Sequence, residues 1–139
     1  MRNKKIHLAG CVILNEKGRV LLLHRNTPVR KQWETSGGKL EDGEDYKKAA
    51  EREIEEELGV DVDILKKLGQ KDFVEDGYVM TYMWFLAKVK MGEPKILEKE
   101  KFDQLKYFSW RQLLKIKDKL SPNTHNLVES YFSKQITLS

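Results

Sequence analysis

Residues 38–60 read GKLEDGEDYKKAAEREIEEELGV, and this stretch decides how the chain is interpreted. Its apolar side chains recur at helical spacing as far as Leu58, and the next residue, Gly59, is of the type that commonly ends a helix. The pattern predicts a helix over residues 44–58. The stretch holds nine acidic and four basic side chains, a net charge of −5 in a chain whose net charge is +4.

Three glutamates of the predicted helix share one face. Residues three and four apart are neighbours on a helix, so Glu53, Glu56 and Glu57 fall within an arc of about 100° that overlaps the apolar face. Like charges at this spacing destabilise an exposed helix by about 0.2–0.5 kcal/mol per pair, and partial burial increases that cost. A solvated charged face accounts for Glu51 and Glu55, which point away from the apolar arc. A bound divalent cation is the simpler account of the other three.

The same stretch resembles the signature of the Nudix hydrolase family. The signature runs glycine, five residues, glutamate, seven residues, Arg-Glu-apolar, one residue, Glu-Glu, one residue, glycine, apolar. The chain fills every specified position, with Gly38, Glu44, Arg52, Glu53, Ile54, Glu56, Glu57, Gly59 and Val60. Chain length and the strand-like flanks resemble the small MutT-like branch. The resemblance implies an α+β Nudix fold, an α-β-α sandwich in which helices flank a central mixed β-sheet.

The resemblance also implies a Mg²⁺ site, at which Mn²⁺ is an expected substitute. Glu53, Glu56 and Glu57 would be metal ligands. A main-chain carbonyl at Gly37 or Gly38 would complete the set, because glycine lets the backbone approach an ion closely.

Two charged residues of the signature would support this site. Arg52 would orient Glu53, although a surface pairing with Glu51 or Glu55 is the alternative from the residues alone. Glu44 would hold the junction between loop and helix, where an anion also suits the helix dipole.

The general base is expected outside the signature. Glu98 and Glu100 lie in a glutamate-rich segment before a strand-like run that ends in tryptophan. Glu98 is the favoured extra metal ligand or base, and the alternatives are Glu53 as base and a solvated Glu98.

Candidate substrate contacts are Lys39, Arg25 and Asn123. Lys39 could meet a phosphate or remain a solvated loop lysine. Arg25, with Arg30 and Lys31, could attract phosphates or serve only solubility. Asn123 could read a base edge, since its amide both donates and accepts, or could belong to a helix cap.

Aromatic residues and a loop substitution complete the candidates. A base could stack on an aromatic ring, although these side chains more often lie in the core; they are Trp33, Tyr78, Tyr82 and Trp84. Thr35-Ser36 replaces the Leu-Pro usual before the two glycines, and we expect this change to touch no metal ligand. Cys11 is expected to be a buried apolar residue.

Outside the signature, turn signals separate runs of strand-forming residues. We expect strands over 6–14 and 19–25 joined as a hairpin, a short strand at 33–35, strands over 60–74 with a turn near Gly69 and over 78–89, a short strand at 106–110, a helical turn over 111–117, and a final helix opening at Ser121-Pro122.

Length and composition limit the function classes. The 139 residues fit one domain, which we place at 1–139, and one cysteine cannot form an internal disulfide, so a cytoplasmic protein is expected. No run of 18 apolar residues exists, so we expect no membrane partner. A pI near 9.0 alone suggests nucleic-acid binding, but an acidic block inside a basic chain fits a metal ion and a small anionic substrate better. Nothing in the sequence indicates an oligomeric state.

Together these features predict an Mg²⁺-dependent Nudix pyrophosphohydrolase. It would cleave a nucleoside triphosphate, normal or modified, to the monophosphate and pyrophosphate. The alternatives are hydrolysis of ADP-ribose or another nucleoside diphosphate-linked substrate, and a Nudix-fold binding module without catalysis. The binding module is disfavoured because every signature carboxylate is present.

Overall fold

The computed structural model describes residues 4–139, so the predicted domain of residues 1–139 includes three residues outside the described part. The elements in chain order are β1 (Lys5–Ile13), β2 (Val20–Asn26), β3 (Lys31–Glu34), β4 (Ser36–Lys39), α1 (Tyr46–Leu58), β5 (Asp61–Glu75), β6 (Tyr78–Met91), β7 (Phe102–Phe108), α2 (Trp110–Lys115), a 3₁₀ turn (Lys117–Lys119) and α3 (Pro122–Phe132). No helix within the described range has the length and apolar character needed to cross a membrane.

The strands form two hydrogen-bonded sheets. The first has the order β4-β1-β6-β5, in which β1 and β6 run parallel and the other neighbours are antiparallel. The second, β3-β2-β7, is antiparallel. The predicted mixed sheet is therefore present, and the remaining strands form a second sheet instead of extending it.

The second half of strand β1, residues 9–13, is buried on both faces. Cys11 and Ile13 pack in one apolar cluster with Ile54 of α1, whereas Val12 packs in a second cluster with Leu127 of α3. Alternate side chains of a strand point to opposite faces, so a strand covered on both sides shows a continuous apolar run. Helices thus cover both sides of the mixed sheet, as predicted, and Cys11 is buried, also as predicted.

The predicted hairpin between β1 and β2 is wrong in its pairing. The turn forms, and the Asn15 side chain accepts hydrogen bonds from the backbone N–H groups of Lys17 and Arg19 at 3.0 and 2.9 Å. Beyond the turn, an isolated bridge joins Leu14, which follows β1, to Val20 of β2. Strand β1 instead pairs with β4 and β6, and β2 pairs with β3 and β7. The turn signal at residues 15–18 does not reveal these pairings.

The turn predicted near Gly69 is also wrong. Strand β5 continues through this glycine with a shift in its register against β6. A Cβ atom at Gly69 would lie 3.0 Å from Cγ2 of Ile136, so the missing side chain lets the C-terminal segment approach the strand.

Helix α1 begins slightly later than predicted. Asp45 is its N-cap, and the Asp45 carboxylate accepts the backbone N–H of Lys48 at 2.8 Å. Glu44 therefore precedes the helix and does not lie in its first turn. The predicted end is confirmed, because Gly59 has φ 69° and donates its N–H to the carbonyl of Glu55.

The C-terminal helices are capped by serines. Ser109 caps α2, so Trp110 begins a helix and does not end a strand as predicted. The predicted final helix is confirmed, with Ser121 as N-cap and Pro122 in its first turn.

Candidate active site

A cleft of about 650 Å³ receives side chains from both sheets, from α1 and from the start of α3. Nine of the predicted site residues line it, namely Arg25, Gly37, Gly38, Lys39, Glu53, Glu56, Glu57, Glu98 and Asn123. Arg52, Glu44 and Gly59 are not among its lining residues. The folding of the chain therefore brings together acidic residues of the signature and candidates from three distant segments.

Glu57 is the deepest acidic side chain of α1, with 4% of the residue exposed. Its Oε1 accepts hydrogen bonds from Ser36 Oγ at 2.6 Å and from the backbone N–H of Gly37 at 2.9 Å. Burial raises the pKa of Glu57 to about 8, the nearby carboxylates of Glu53 and Glu34 add to the rise, and the two hydrogen bonds oppose it. A bound cation would stabilise the ionised form of a carboxylate that is buried among other negative charges.

Glu53 packs directly on the backbone of Gly38. A Cβ atom at Gly38 would lie 2.5 Å from Oε1 of Glu53, so only glycine leaves room for the carboxylate in this position. Burial is the main cause that raises the pKa of Glu53, and the Arg52 guanidinium opposes it.

Arg52 joins the loop before α1 to the acidic face of the helix. Its Nε and Nη2 donate to the two oxygens of Glu44 at 2.7 and 2.9 Å, and Nη2 also donates to the carbonyl of Lys39. Its Nη1 donates to Glu53 at 3.1 Å and to Glu56 at 3.2 Å. The paired carboxylates, Glu44 first, raise the pKa of Arg52. Within the described residues Arg52 therefore contacts Glu53 and not Glu51 or Glu55, the alternative that the sequence left open.

The donor set fits a hard divalent ion. Oxygen ligands from two or three carboxylates and a backbone carbonyl are what Mg²⁺ accepts in proteins. In residues 4–139 no three acidic, histidine or cysteine side chains converge as a ready-made metal site. Glu53 and Glu56 both pair with Arg52. The close seating of Glu53 on Gly38 nevertheless places carboxylate and backbone side by side.

Glu98 reaches the same cleft from the segment between β6 and β7. Its side chain is 28% exposed, and its Oε2 lies 3.4 Å from Nζ of Lys101. The Glu98 charge makes a small contribution to the raised pKa of Glu53, so the two carboxylates are near enough to repel each other. Glu100, the other glutamate of this segment, is not among the lining residues.

Arg25 is held by a carboxylate that sequence reasoning missed. Its Nε and Nη2 donate to Glu34 at 3.1 and 2.7 Å, and Gln32 donates to the same carboxylate at 2.8 Å. The guanidinium also lies 4.9 Å from the ring centre of Phe102. Glu34 could have been found only from the pairing of β2 with β3, which the sequence does not display.

Asn123 is buried, and its amide is oriented by Trp84. The Trp84 Nε1–H donates to Oδ1 at 2.6 Å, and the Nδ2 group donates to Thr35 Oγ1 at 3.4 Å and to Thr124 Oγ1 at 3.5 Å. Of the four aromatic candidates, Tyr82 lines the cleft. Trp33 instead packs edge-on against Phe108.

The expectation that the Thr35-Ser36 replacement touches no candidate ligand is wrong. The Ser36 hydroxyl contacts Glu57 directly. The Ser36 side chain points from β4 toward α1. This direction depends on the register of β4 against β1 and not on the local sequence.

Comparison with known proteins finds one matching family and several similar sequences. The model of the NUDIX domain family matches residues 6–130. An 8-oxo-dGTP diphosphatase of Proteus vulgaris is 41% identical over 66 residues, which are 45% of this chain and 57% of that protein. An oxidized purine nucleoside triphosphate hydrolase of Danio rerio is 36% identical over 90 residues, 63% of this chain and 58% of that protein. Both matches thus span less than two thirds of the relative.

A solved structure shares the fold. The crystal structure of a MutT NUDIX hydrolase from Burkholderia pseudomallei superposes with a TM-score of 0.81 at 28% identity. The match covers 91% of this chain and 98% of that one. The predicted fold class is therefore confirmed.

Proposed function

This chain belongs to the NUDIX family, and on that premise we propose that it is an Mg²⁺-dependent pyrophosphohydrolase of a nucleoside triphosphate. The products would be the nucleoside monophosphate and inorganic pyrophosphate. One observation carries the proposal: the three carboxylates of α1, Glu98 and Arg25 line a single cleft of about 650 Å³. That size suits a small ligand.

The proposed metal site consists of Glu53, Glu56, Glu57 and the carbonyl of Gly38 or Gly37. When bound, Mg²⁺ neutralises phosphate charge, orients the attacking water and lowers its pKa. Arg52 keeps the Glu53 carboxylate in place through the hydrogen bond from Nη1.

Outside α1, two residues have proposed roles in the reaction. Glu98 accepts the proton of the attacking water at Oε1, since Oε2 contacts Lys101. Arg25 presents Nη1 to a phosphate, because Nε and Nη2 are bound to Glu34. Lys39, which also lines the cleft, adds positive charge for the polyphosphate.

The base moiety would lie near Asn123 and Tyr82. With Oδ1 bound to Trp84, Asn123 would present Nδ2 to an acceptor on the base, in exchange for one of its long contacts with Thr35 and Thr124. The activities for which the two relatives are named favour an oxidised purine nucleotide as the first substrate to test.

A substrate panel with product identification tests the proposal. The panel contains the common nucleoside triphosphates, 8-oxo-dGTP and ADP-ribose, each with Mg²⁺. Release of pyrophosphate from a triphosphate is expected. Two monophosphate-bearing products from ADP-ribose alone would overturn the triphosphate assignment.

Variants of α1 test the chemistry. Glu53→Gln and Glu56→Gln should each lower kcat by about 100-fold or more, since a metal ligand supplies several kcal/mol of transition-state stabilisation. Glu55→Gln is the matched control, because Glu55 is an exposed glutamate of the same helix outside the cleft. Full Mg²⁺-dependent turnover by Glu53→Gln or Glu56→Gln would show that the mechanism is wrong.

A further inference from the structure

Ser36 contacts an acidic side chain of the cleft from the neighbouring element. At the start of β4, its Oγ lies 2.6 Å from Oε1 of Glu57 in α1. The two residues are 3% and 4% exposed, so water does not compete for this hydrogen bond. A buried hydroxyl therefore donates to a side chain that has a metal-binding role in the proposed function.

Both donors to Glu57 converge on the same oxygen. Ser36 Oγ and the backbone N–H of Gly37 each donate to Oε1. In the described residues Oε2 has no hydrogen-bond partner, but it is not fully buried either. Because Glu57 lines the cleft, Oε2 is the oxygen that stays accessible from it. The two donors fix one oxygen against β4 and turn the other toward the space where a metal ion would bind.

We propose that Ser36 is a positioning residue that holds Glu57 in the orientation that binds the metal ion. This inference rests on the proposed function, since it takes Glu57 as a metal ligand. Hydrogen bonds to ligating carboxylates orient them, and their loss commonly lowers metal affinity by about 10–100-fold. Without the hydroxyl, Oε1 keeps only the Gly37 N–H, and the carboxylate can rotate away from the cleft.

The contact belongs to this chain and not to the family signature. The signature positions begin at Gly38, two residues after the serine. The proline usual at position 36 has no side-chain donor, so a chain that carries it cannot make this hydrogen bond. Ser36 thus adds a side-chain donor to the backbone donor of Gly37, and proline at this position would not supply one.

The test is a double-mutant cycle read by metal binding without substrate. The affinity for Mn²⁺ is measured by electron paramagnetic resonance of the free ion for wild type, Ser36→Ala, Glu57→Gln and the double variant. Ser36→Ala should weaken Mn²⁺ binding by about 10–100-fold. If Ser36 acts through Glu57, the double variant binds no more weakly than Glu57→Gln alone.

Control variants separate positioning from packing. Ser36→Thr keeps the hydroxyl and should restore binding to within about threefold of wild type, a difference of less than 1 kcal/mol. Ser130→Ala removes a hydroxyl from an equally buried serine of α3 outside the cleft, and should leave Mn²⁺ affinity unchanged. If Ser36→Ala does not fold, Ser36→Cys keeps a side chain of the same shape with a larger atom and a weaker donor, and should lower the affinity severalfold.

The outcomes distinguish this inference from the proposed function. Normal Mn²⁺ affinity in Ser36→Ala or in Ser36→Cys, together with weak binding by Glu57→Gln, overturns the positioning role alone. Additive losses in the double variant also overturn it. Normal affinity and turnover in Glu57→Gln would instead overturn the metal site itself.

Discussion

Two adjacent glycines of β4 have different neighbours, although the sequence presents them as a pair. A Cβ atom at Gly37 would lie 2.5 Å from the carbonyl oxygen of Ala9 and 2.7 Å from Cα of Gly10, both backbone atoms of β1. At Gly38 the nearest atoms belong to the Glu53 carboxylate, the far end of a flexible side chain. The first glycine therefore permits strand packing, and the second permits the placement of a candidate ligand.

This difference predicts opposite consequences for two alanine substitutions. Gly38→Ala should fold with an unfolding temperature close to that of wild type but lose Mn²⁺ affinity and activity by about tenfold or more, because Glu53 must move. Gly37→Ala should be destabilised by about 1–3 kcal/mol through overpacking against the backbone. Thermal unfolding and Mn²⁺ titration of both variants measure the contrast. Equal stability loss in the two variants would contradict it.

Arg52 gives a second prediction at the residue scale. Its planar group binds Glu44 with two hydrogen bonds while a third nitrogen reaches Glu53. Lysine keeps the charge but cannot make this arrangement. Arg52→Lys should therefore lower kcat by about 10–100-fold, and Lys48→Arg, on the same helix outside this network, is the control. Wild-type turnover in Arg52→Lys would exclude a role for the geometry of the guanidinium.

Some of these site residues can be predicted from the sequence and others cannot. Glu53, Glu56 and Glu57 follow from helical spacing, which is local and therefore readable. Glu34 and Ser36 do not, because each acts across a strand or helix contact that depends on register. Which side chains meet across a β2–β3 pair or between β4 and α1 depends on the register of the strands, which these residues do not display in the sequence.

At the scale of elements, α1 and its preceding loop form one unit through the contact between Glu44 and Arg52. Glu44 also accepts the backbone N–H of Glu41 at 3.0 Å, so its carboxylate closes the loop as well as binding the helix. Arg52 and the backbone hydrogen bond lower the pKa of Glu44 to about 2. The loop and the helix that carries the candidate ligands are thus joined by a group that stays ionised in mild acid.

The pH dependence of this contact is testable. A carboxyl whose pKa is lower in the folded than in the unfolded state stabilises the fold at pH values above its unfolded-state pKa. This contribution disappears as the pH falls through the folded-state pKa. Wild type should be more stable than Glu44→Gln at neutral pH, and the difference should shrink between pH 4.5 and about 2. Denaturant unfolding across this range measures it.

Glu41→Gln is the matched control for the same loop. Glu41 lies 3.3 Å from Arg52 but is 67% exposed, so its loss should change stability by less than about 1 kcal/mol at any pH. A Glu44→Gln difference that persists unchanged at pH 2 would show that the contact does not depend on ionisation.

Element boundaries were predictable where capping chemistry is local. Gly59 and Ser121-Pro122 mark helix ends in the sequence and in the structure alike. Gly69 was not predictable in this way. Its missing side chain makes room for Ile136, but in the sequence such a glycine cannot be distinguished from a glycine of a turn. The difference depends on what packs against the residue, and here that is Ile136 of the C-terminal segment, 67 residues further along the chain.

At the scale of the whole molecule, the cleft lies where residues of the two sheets meet, and Arg30 joins them. Arg30 precedes β3 of the second sheet, and it binds Glu75 and Asp76 at the turn between β5 and β6 of the first. All three residues line the cleft, at the end that includes the exposed Val29. The sequence predicted Arg30 as a possible phosphate contact, whereas in the structure its guanidinium pairs with carboxylates.

Loss of this contact should loosen one end of the cleft without unfolding the chain. Arg30 is 37% exposed, so Arg30→Ala should reduce global stability by no more than about 1 kcal/mol. Amide hydrogen exchange should nevertheless accelerate in residues 27–30 and 75–78, because the two segments no longer restrain each other. High salt should produce the same local change in wild type, since it screens exposed ion pairs.

A second exposed ion pair separates a cleft effect from a general charge effect. Lys5 lies 3.7 Å from Asp72, joins strands of the first sheet and is outside the cleft. Lys5→Ala should therefore leave exchange in residues 27–30 unchanged, and it should leave the KM for the proposed nucleotide substrate unchanged, whereas Arg30→Ala should alter both. If Arg30→Ala leaves exchange in both segments as slow as in wild type, packing of the apolar side chains and not the ion pairs holds this end of the cleft together.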